Sequence, residues 1–218
     1  MPKTCSYKET IRKYKITNEL SIQLIEIPKL SIFPKCVYCG EGKCWNVSCE
    51  TGLALSRYLA REFIDGRLNG LRTLDLGCGV GLSGLVLAKL GATVSFLDHI
   101  PDALQVVHRN CMLNGVKSIE TICCCWRNSK RLKKIGKYDL LIGSDILYNV
   151  SNMFWILSLL TTNLKRNGIA IFADPMRYGV MAFFRLLAKS SFQFQWHWID
   201  SKLVPGNDKV RVYFVKRS

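Results

Sequence analysis

The stretch Thr73-Leu74-Asp75-Leu76-Gly77-Cys78-Gly79-Val80-Gly81-Leu82-Ser83-Gly84 decides the architecture. An apolar run of strand length enters a glycine-dense turn, and residues 81–90 then read as a helix. Glycines there allow a tight turn and close approach of a ligand to the backbone, and the helix start offers free N–H groups. The same alternation continues outward. Further strands are predicted at 93–98, 119–125, 138–145 and 168–174, beside the first at 72–77. Helix-like segments fall at 102–114, at 151–165 and at 178–190, with a short basic stretch after the third strand. This rhythm is that of βαβ units around a parallel sheet. Residues 192–199 and 210–216 are separated by the turn Pro205-Gly206-Asn207-Asp208 and are expected to pair antiparallel, which brings the sheet to seven strands.

The first 50 residues have a different character. Residues 11–16 and 20–27 are rich in β-formers and flank Thr17-Asn18-Glu19, so they predict a hairpin. A Cys/Gly/Lys-rich loop follows, and residues 52–63 carry apolar side chains at helical spacing. The expected organisation is an N-terminal extension over 1–50 and an α/β domain over 51–218.

The glycine turn also narrows the ligand. Gly79-x-Gly81-x-x-Gly84 satisfies the dinucleotide pattern, a weak signal when alone. Against a pyrophosphate stands Asp75, whose charge at the strand end suits an ammonium group. The glycine run also starts earlier, and the chain finishes with an antiparallel hairpin. Asp98 ends the next strand, where an acid can grip a ribose hydroxyl pair. A ligand with a ribose, an ammonium and no phosphate fits these residues best. A generic tight βα turn is the structural alternative.

The chain has 218 residues, 49% of them apolar, so a sizeable core is available and intrinsic disorder is excluded. No apolar run approaches the ~20 residues that span a bilayer. The opening Met1-Pro2-Lys3-Thr4-Cys5 lacks the apolar run of an export signal. Reduced cysteines and a cytoplasmic setting are therefore expected. The formal charge is +15, with 11 basic and 7 acidic residues over 1–70 and 20 and 9 over 71–218. Such an excess points to an acidic macromolecule, protein or RNA. The run from Arg127 to Lys137 has six cations and no acid; it reads as a solvated loop that can steer an acidic substrate.

With the motifs in view, a family resemblance follows. Residues 74–81 (LDLGCGVG) and 97–104 (LDHIPDAL) resemble the first motifs of class I, seven-β-strand S-adenosylmethionine-dependent methyltransferases. Residues 45–60 (WNVSCETGLALSRYLA), Trp126, Asp145-x-x-Tyr148 and Asp174-Pro175-Met176-Arg177 are similar to the methyltransferase-like protein lysine methyltransferases. That group includes the enzymes acting on electron transfer flavoprotein β subunit and nicotinamide N-methyltransferase-like relatives. The resemblance implies a Rossmann-like, doubly wound α/β sheet and S-adenosylmethionine as cofactor. It implies that Gly77, Cys78 and Gly79 meet the methionine moiety, that Asp75 orients them and meets the ammonium, and that Asp98 takes the ribose hydroxyls. Trp126 would lie on the adenine and Trp45 would line the pocket. Asp145 and Tyr148 would bind the acceptor, from one side of a first helical turn. Two positions depart from the family pattern: Cys49 replaces an aromatic residue and Cys125 replaces an acid beside Trp126. Both bear on the substrate rim.

Cys36-x2-Cys39-x4-Cys44-x4-Cys49 has one pair at zinc-like spacing, and no metal is assigned. Cys123, Cys124 and Cys125 read as small hydrophobes of a buried strand. The function implied is methylation of a lysine side chain of a protein, the expected partner being acidic. Methylation of RNA or a small amine and a non-catalytic cofactor-binding scaffold are the alternatives.

Overall fold

Apolar residues occupy both faces of the central strands, and helices cover both faces. The computed structural model describes residues 8–28, 45–175, 179–200, 202–204 and 209–218. Cys36, Cys39, Cys44, Met176, Arg177 and the turn at 205–208 lie outside the described residues. In chain order the elements are β1 (Thr10–Lys15), β2 (Ser21–Glu26), α1 (Glu50–Glu62), β3 (Arg72–Leu76), α2 (Leu82–Lys89) and β4 (Thr93–Asp98). There follow α3 (Pro101–Leu113), β5 (Glu120–Cys123), α4 (Ser129–Leu132), β6 (Tyr138–Ser144) and α5 (Val150–Asn163). The chain finishes with β7 (Leu164–Asp174), α6 (Gly179–Ala188), β8 (Phe192–Trp198) and β9 (Arg211–Arg217).

The seven-stranded sheet runs β5-β4-β3-β6-β7-β9-β8. The first five are parallel neighbours, and β9 lies antiparallel between β7 and β8. The predicted terminal hairpin is therefore present, with its later strand on the inside. Burial explains the order: Val212, Tyr213 and Val215 of β9 are fully buried, whereas Trp196 and Trp198 of β8 are not. Alternate residues of each strand enter different cores. Phe96, Leu140 and Ile142 join α1, α2 and α3, while Leu74, Leu76 and Leu141 join α5 and α6. Strand order reverses at β3, whose neighbours are β4 and β6, and open α/β sheets bind ligands outside such a switch point.

Three expected boundaries change. The third parallel strand stops at Cys123; Cys124 N–H turns to Asp98 C=O (2.9 Å) and Cys125 C=O accepts from Asn128 N–H (2.9 Å). Cys124 and Cys125 are buried, as expected, but in a turn. Helix α5 ends at Asn163, not 165, because the buried Asn163 amide donates to Leu132 and Gly136 carbonyls (2.8 Å each). The chain then extends at once, Leu164 pairing with Tyr138, so β7 begins four residues earlier than predicted. Residues 165–168 form an irregularity in the ladder, with Lys165 Nζ 2.9 Å from the Asp139 carboxylate.

The β1–β2 hairpin docks through β2, whose Ile22 and Leu24 are fully buried in the core shared with α1, α2 and α3. Two asparagines, Asn110 of α3 and Asn114 at its C-cap, continue the sheet edge. Asn114 accepts from Gln23 N–H (2.9 Å) and donates to Gln23 C=O (2.7 Å). Asn110 does the same for Ile25 (2.6 and 3.3 Å) and also donates to Val80 C=O (2.9 Å). The spacing matches because four helical residues rise about 6.0 Å and two strand residues about 6.6 Å.

Asn110→Ala would leave the Ile25 and Val80 backbone groups buried without their partner. A loss of about 2–3 kcal/mol in urea unfolding is expected, against about 1 kcal/mol or less for the more exposed Asn114→Ala.

Candidate functional site

The site starts at the end of β3, where the chain must turn away from the sheet and begin α2. Gly77 (φ +63°) and Gly79 (φ +52°) both take left-handed backbone conformations, which side-chain-bearing residues avoid. Space is equally restrictive. A Cβ on Gly77 would stand 3.2 Å from Trp126 Cζ2 and 3.3 Å from Ile146 Cγ2, and one on Gly79 would stand 3.2 Å from Trp45 C=O. The loop is tied to β4 by Gly77 and Cys78 N–H groups, both donating to Leu97 C=O (2.8 and 3.1 Å). Around this one turn, Trp45, Trp126 and the segment after β6 therefore meet.

Two buried acids shape the loop. Asp75, 3% exposed, accepts from Gly84 N–H through Oδ2 (3.0 Å). Gly84 is in the first turn of α2, whose N-cap Gly81 has no side chain to supply a cap; Asp75 caps the helix from the strand below. Burial pushes its carboxyl up to about 7, against the Gly84 N–H, with the charge of Asp98 adding to the rise. Asp98, 4% exposed, accepts from Gly79 N–H through Oδ2 (3.1 Å) and from Ile100 N–H through Oδ1 (3.0 Å). A carboxylate has about four acceptor sites. Besides these two backbone bonds, His99 Nδ1 lies 3.4 Å from Oδ1, which leaves acceptor capacity for a ribose hydroxyl on the Oδ2 side.

On the rim, Trp45 is 4% exposed and its indole N–H is buried without an acceptor among the described residues. Trp126 is half-buried with its six-membered ring over Gly77. Cys78 is half-buried, and burial, then Asp98 and Asp75, holds its thiol well above the usual range. Asp145 has φ +54°, the one left-handed non-glycine among the described residues, and its N–H donates to Ala173 C=O (2.8 Å). Such a conformation costs about 1 kcal/mol or more, and short acids tolerate it best. Helix α5 does not include Asp145 and Tyr148, contrary to the expected shared helical turn. It starts at Val150, capped by the Asn149 side chain accepting from Ser151 N–H (2.9 Å). Tyr148 stands 47% exposed in the intervening loop.

Several supporting residues had no clear signal in the sequence. Glu26, fully buried at the end of β2, accepts from Tyr14 O–H (2.6 Å) and Ser48 N–H (2.8 Å) and lies 3.5 Å from Arg12 Nε. Asn46 N–H₂ donates to Ile27 C=O (2.8 Å) while Ile27 N–H donates to Asn46 C=O (2.9 Å). These bonds hold Trp45 against Gly79. An acid between Ile25 and Ile27 was the available hint. Cys49 caps α1, its Sγ accepting from Gly52 N–H (3.2 Å), and a Cβ on Gly52 would lie 3.4 Å from Ser144 Oγ. The departing residue thus sits beside the end of β6. Among the described residues, no cluster of three or more His, Cys, Asp or Glu is arranged to hold a metal.

The acid Asp75 gives a pH signature. Its folded carboxyl titrates above the unfolded value, so its contribution to stability is complete at low pH and declines as pH rises from about 4 through about 7. Asp75→Asn keeps an acceptor for Gly84 but removes this titration. Relative to wild type, the variant's urea midpoint should therefore rise across that window; parallel curves would show that Asp75 is not the titrating group.

The fit to S-adenosylmethionine rests on the backbone cradle at Gly77 and Gly79, the spare acceptor capacity of Asp98 and the aromatic cover of Trp126. Comparisons with known proteins point to the same cofactor. The profile of the lysine methyltransferase family matches residues 30–190. The histidine protein methyltransferase 1 homolog of Dictyostelium discoideum is 31% identical over 145 residues, covering 65% of this chain and 45% of that one. The protein N-lysine methyltransferase METTL21A of Danio rerio is 35% identical over 103 residues, 45% and 46% of the two chains. The chain thus spans about half the length of these relatives. In fold, it is similar to magnesium protoporphyrin IX methyltransferase of Synechocystis PCC 6803 with bound S-adenosylmethionine. The TM-score there is 0.59 at 20% identity, over 77% of this chain and 80% of that one. With its match over residues 30–190, the chain belongs to the lysine methyltransferase family, an S-adenosylmethionine-dependent family.

Proposed function

We propose that this protein transfers a methyl group from S-adenosylmethionine to a lysine side chain of an acidic protein. The observation that carries the reading is Ile146 against Gly77. It brings the 145–148 loop beside the turn that would hold the methyl donor, so an amine bound by that loop meets the donor directly.

Asp98 is the ribose-binding group, already oriented by Gly79 and Ile100 N–H groups so that little reorganisation is needed. Trp126 supplies a flat apolar wall for the adenine, and the backbone at 77–79 receives the methionine end. Asp75 acts as a positioning residue by fixing the start of α2. When bound, the cofactor would supply an electrophilic sulfonium methyl carbon, from which an in-line nucleophile displaces the neutral thioether. A lysine amine, with an ordinary pKa near 10.4, must shed a proton before it can attack. Asp145 accepts a hydrogen bond from the ammonium and orients it, and the proton leaves to solvent through the exposed side of the loop. Tyr148 gives the lysine stem and its charge an aromatic wall. Holding the pair aligned is the main contribution of the protein.

The charge of +15 supports an acidic acceptor. Among the described residues no helix is long and apolar enough to cross a membrane.

Two variants test the two halves of the site. Asp98→Ala should weaken S-adenosylmethionine binding at least tenfold in calorimetric titration; unchanged affinity would remove Asp98 from the cofactor site. Asp145→Asn keeps the tolerance for φ +54° while removing the carboxylate. It should retain cofactor affinity and lose at least tenfold in labelled-methyl transfer to a protein lysate. Label that disappears on ribonuclease treatment rather than protease treatment would overturn the lysine acceptor.

A further inference from the structure

The outer end of the sheet carries a surface that neither the cofactor site nor the acceptor loop uses. Strand β8 is the edge, and its residues alternate between the faces. Phe194 is covered by α6, stacking on Phe184 with ring centroids 4.5 Å apart. His197, on the other face, lies over Phe214 and Tyr58 (5.3 and 5.5 Å). Trp196 and Trp198 follow Phe194 on its face and stand 43% and 42% exposed. The Arg211 guanidinium carbon is 4.0 Å from the ring centroid of Trp196 and 4.4 Å from that of Trp198. The cation is thereby held on the two rings, with the buried Asp174 opposite it in the ladder, and a planar guanidinium on an aromatic face can still offer N–H groups to a carboxylate.

Leaving two tryptophans on an edge strand is costly. Edges are ordinarily protected by lysine, proline or a bulge, and the β8 sequence Phe-Gln-Phe-Gln-Trp-His-Trp has neither lysine nor proline. Tryptophan and arginine are also the residues that dominate protein interfaces. Position gives the patch its meaning. Asp145 N–H bonds Ala173 at the end of β7, the next residue, Asp174, is paired with Arg211, and Arg211 is paired with Trp198. The patch therefore lies on the same carboxyl-end edge as Asp145, three strand spacings or about 14 Å away. An extended segment of about four or five residues spans that distance. The local charge is complementary to an acidic one, since residues 185–218 contain seven lysines and arginines against two aspartates.

We propose that Trp196, Trp198 and Arg211 form a docking platform for an acidic segment of the acceptor protein, flanking the lysine that is methylated. The platform rests on the protein-lysine reading above. It selects acceptors by apolar contact on the two indoles and by a carboxylate bound to Arg211. The basic run around α4 follows β5, the strand at the other end of the sheet, and packs against α5; it serves as an internal control for unspecific attraction.

The probe is a fluorescein-labelled random copolymer of glutamate, lysine and tyrosine with glutamate in excess, its binding to the full chain followed by anisotropy. Trp196→Ala/Trp198→Ala should weaken binding at least tenfold. Trp196→Phe/Trp198→Phe should stay within about threefold of wild type, and Arg211→Gln should lose affinity and flatten the salt dependence. S-adenosylmethionine affinity, unchanged in all three, reports that they are folded. Lys130→Gln/Lys133→Gln/Lys134→Gln should bind the copolymer within about threefold of wild type. Wild-type affinity in the double alanine variant, or an equal loss in the α4 variant, overturns the platform. So does tryptophan-dependent binding of polyuridylate that displaces the copolymer, which would make the patch a nucleic-acid surface. Methyl transfer to the copolymer lysines is read separately. Tryptophan-dependent binding with no transfer by wild type would overturn the lysine acceptor and leave the platform standing.

Discussion

One side-chain amide links the parts of this protein that function must bring together. Asn110 of α3 bonds both backbone groups of Ile25 in β2 and the carbonyl of Val80 in the glycine turn. Through it the N-terminal hairpin has a fixed height relative to the cofactor loop. From β2 the linkage continues through Glu26 to Ser48 and through Ile27 to Asn46, which places the Trp45 backbone on Gly79. A buried polar group left without a partner is expensive, so these bonds act as position markers as well as stabilising contacts. The hairpin is thus tied to the glycine turn rather than being an ornament on the domain.

The two buried aspartates divide the work within the turn. Asp98 is oriented by the backbone N–H groups of Gly79 and Ile100. Asp75 lies beneath and terminates α2, where glycine at the N-cap had left the helix without a side-chain acceptor. Their mutual repulsion, added to burial, raises the Asp75 carboxyl, and the Gly84 N–H offsets part of that rise. A turn built from glycines is thus held rigid by acids that do not themselves need to touch the methyl group.

Most of the architecture was readable in the order of residues. The apolar run at 72–76, the glycines after it and the alternation that follows correspond closely to β3, α2 and the succeeding strands. One boundary moved where a side chain outvoted local pattern, Asn163 ending α5 by bonding across to Leu132 and Gly136; β5 stops after its last ladder bond, Cys124 N–H to Asp98 C=O. The site was readable in part. Asp75, Asp98, Trp126 and Asp145 could be picked out by motif, but Tyr148 and Asp145 do not share the helical turn their spacing suggested, because Asp145 adopts a left-handed conformation and Asn149 starts the helix. Asn46 and Asn110 carried no local signal, since each acts on residues at least 19 positions away, and Glu26 offered only an acid between two isoleucines, its bonding partners lying 12 and 22 positions away.

Periodicity and glycine placement act between near neighbours, so the chain alone specified a doubly wound sheet, its glycine turn and a strongly basic character. Whether β8 or β9 lay inside could not be read this way. That choice depends on which strand buries more apolar surface against helices far off in sequence. Packing put Val212, Tyr213 and Val215 within and left Trp196 and Trp198 at the edge. Folding likewise decided that Ile146 should rest on Gly77 and that Arg211 should lie across two indoles. Those are long-range contacts, formed only when the sheet closes, and they locate the loop after β6 and the exposed aromatic face at one edge.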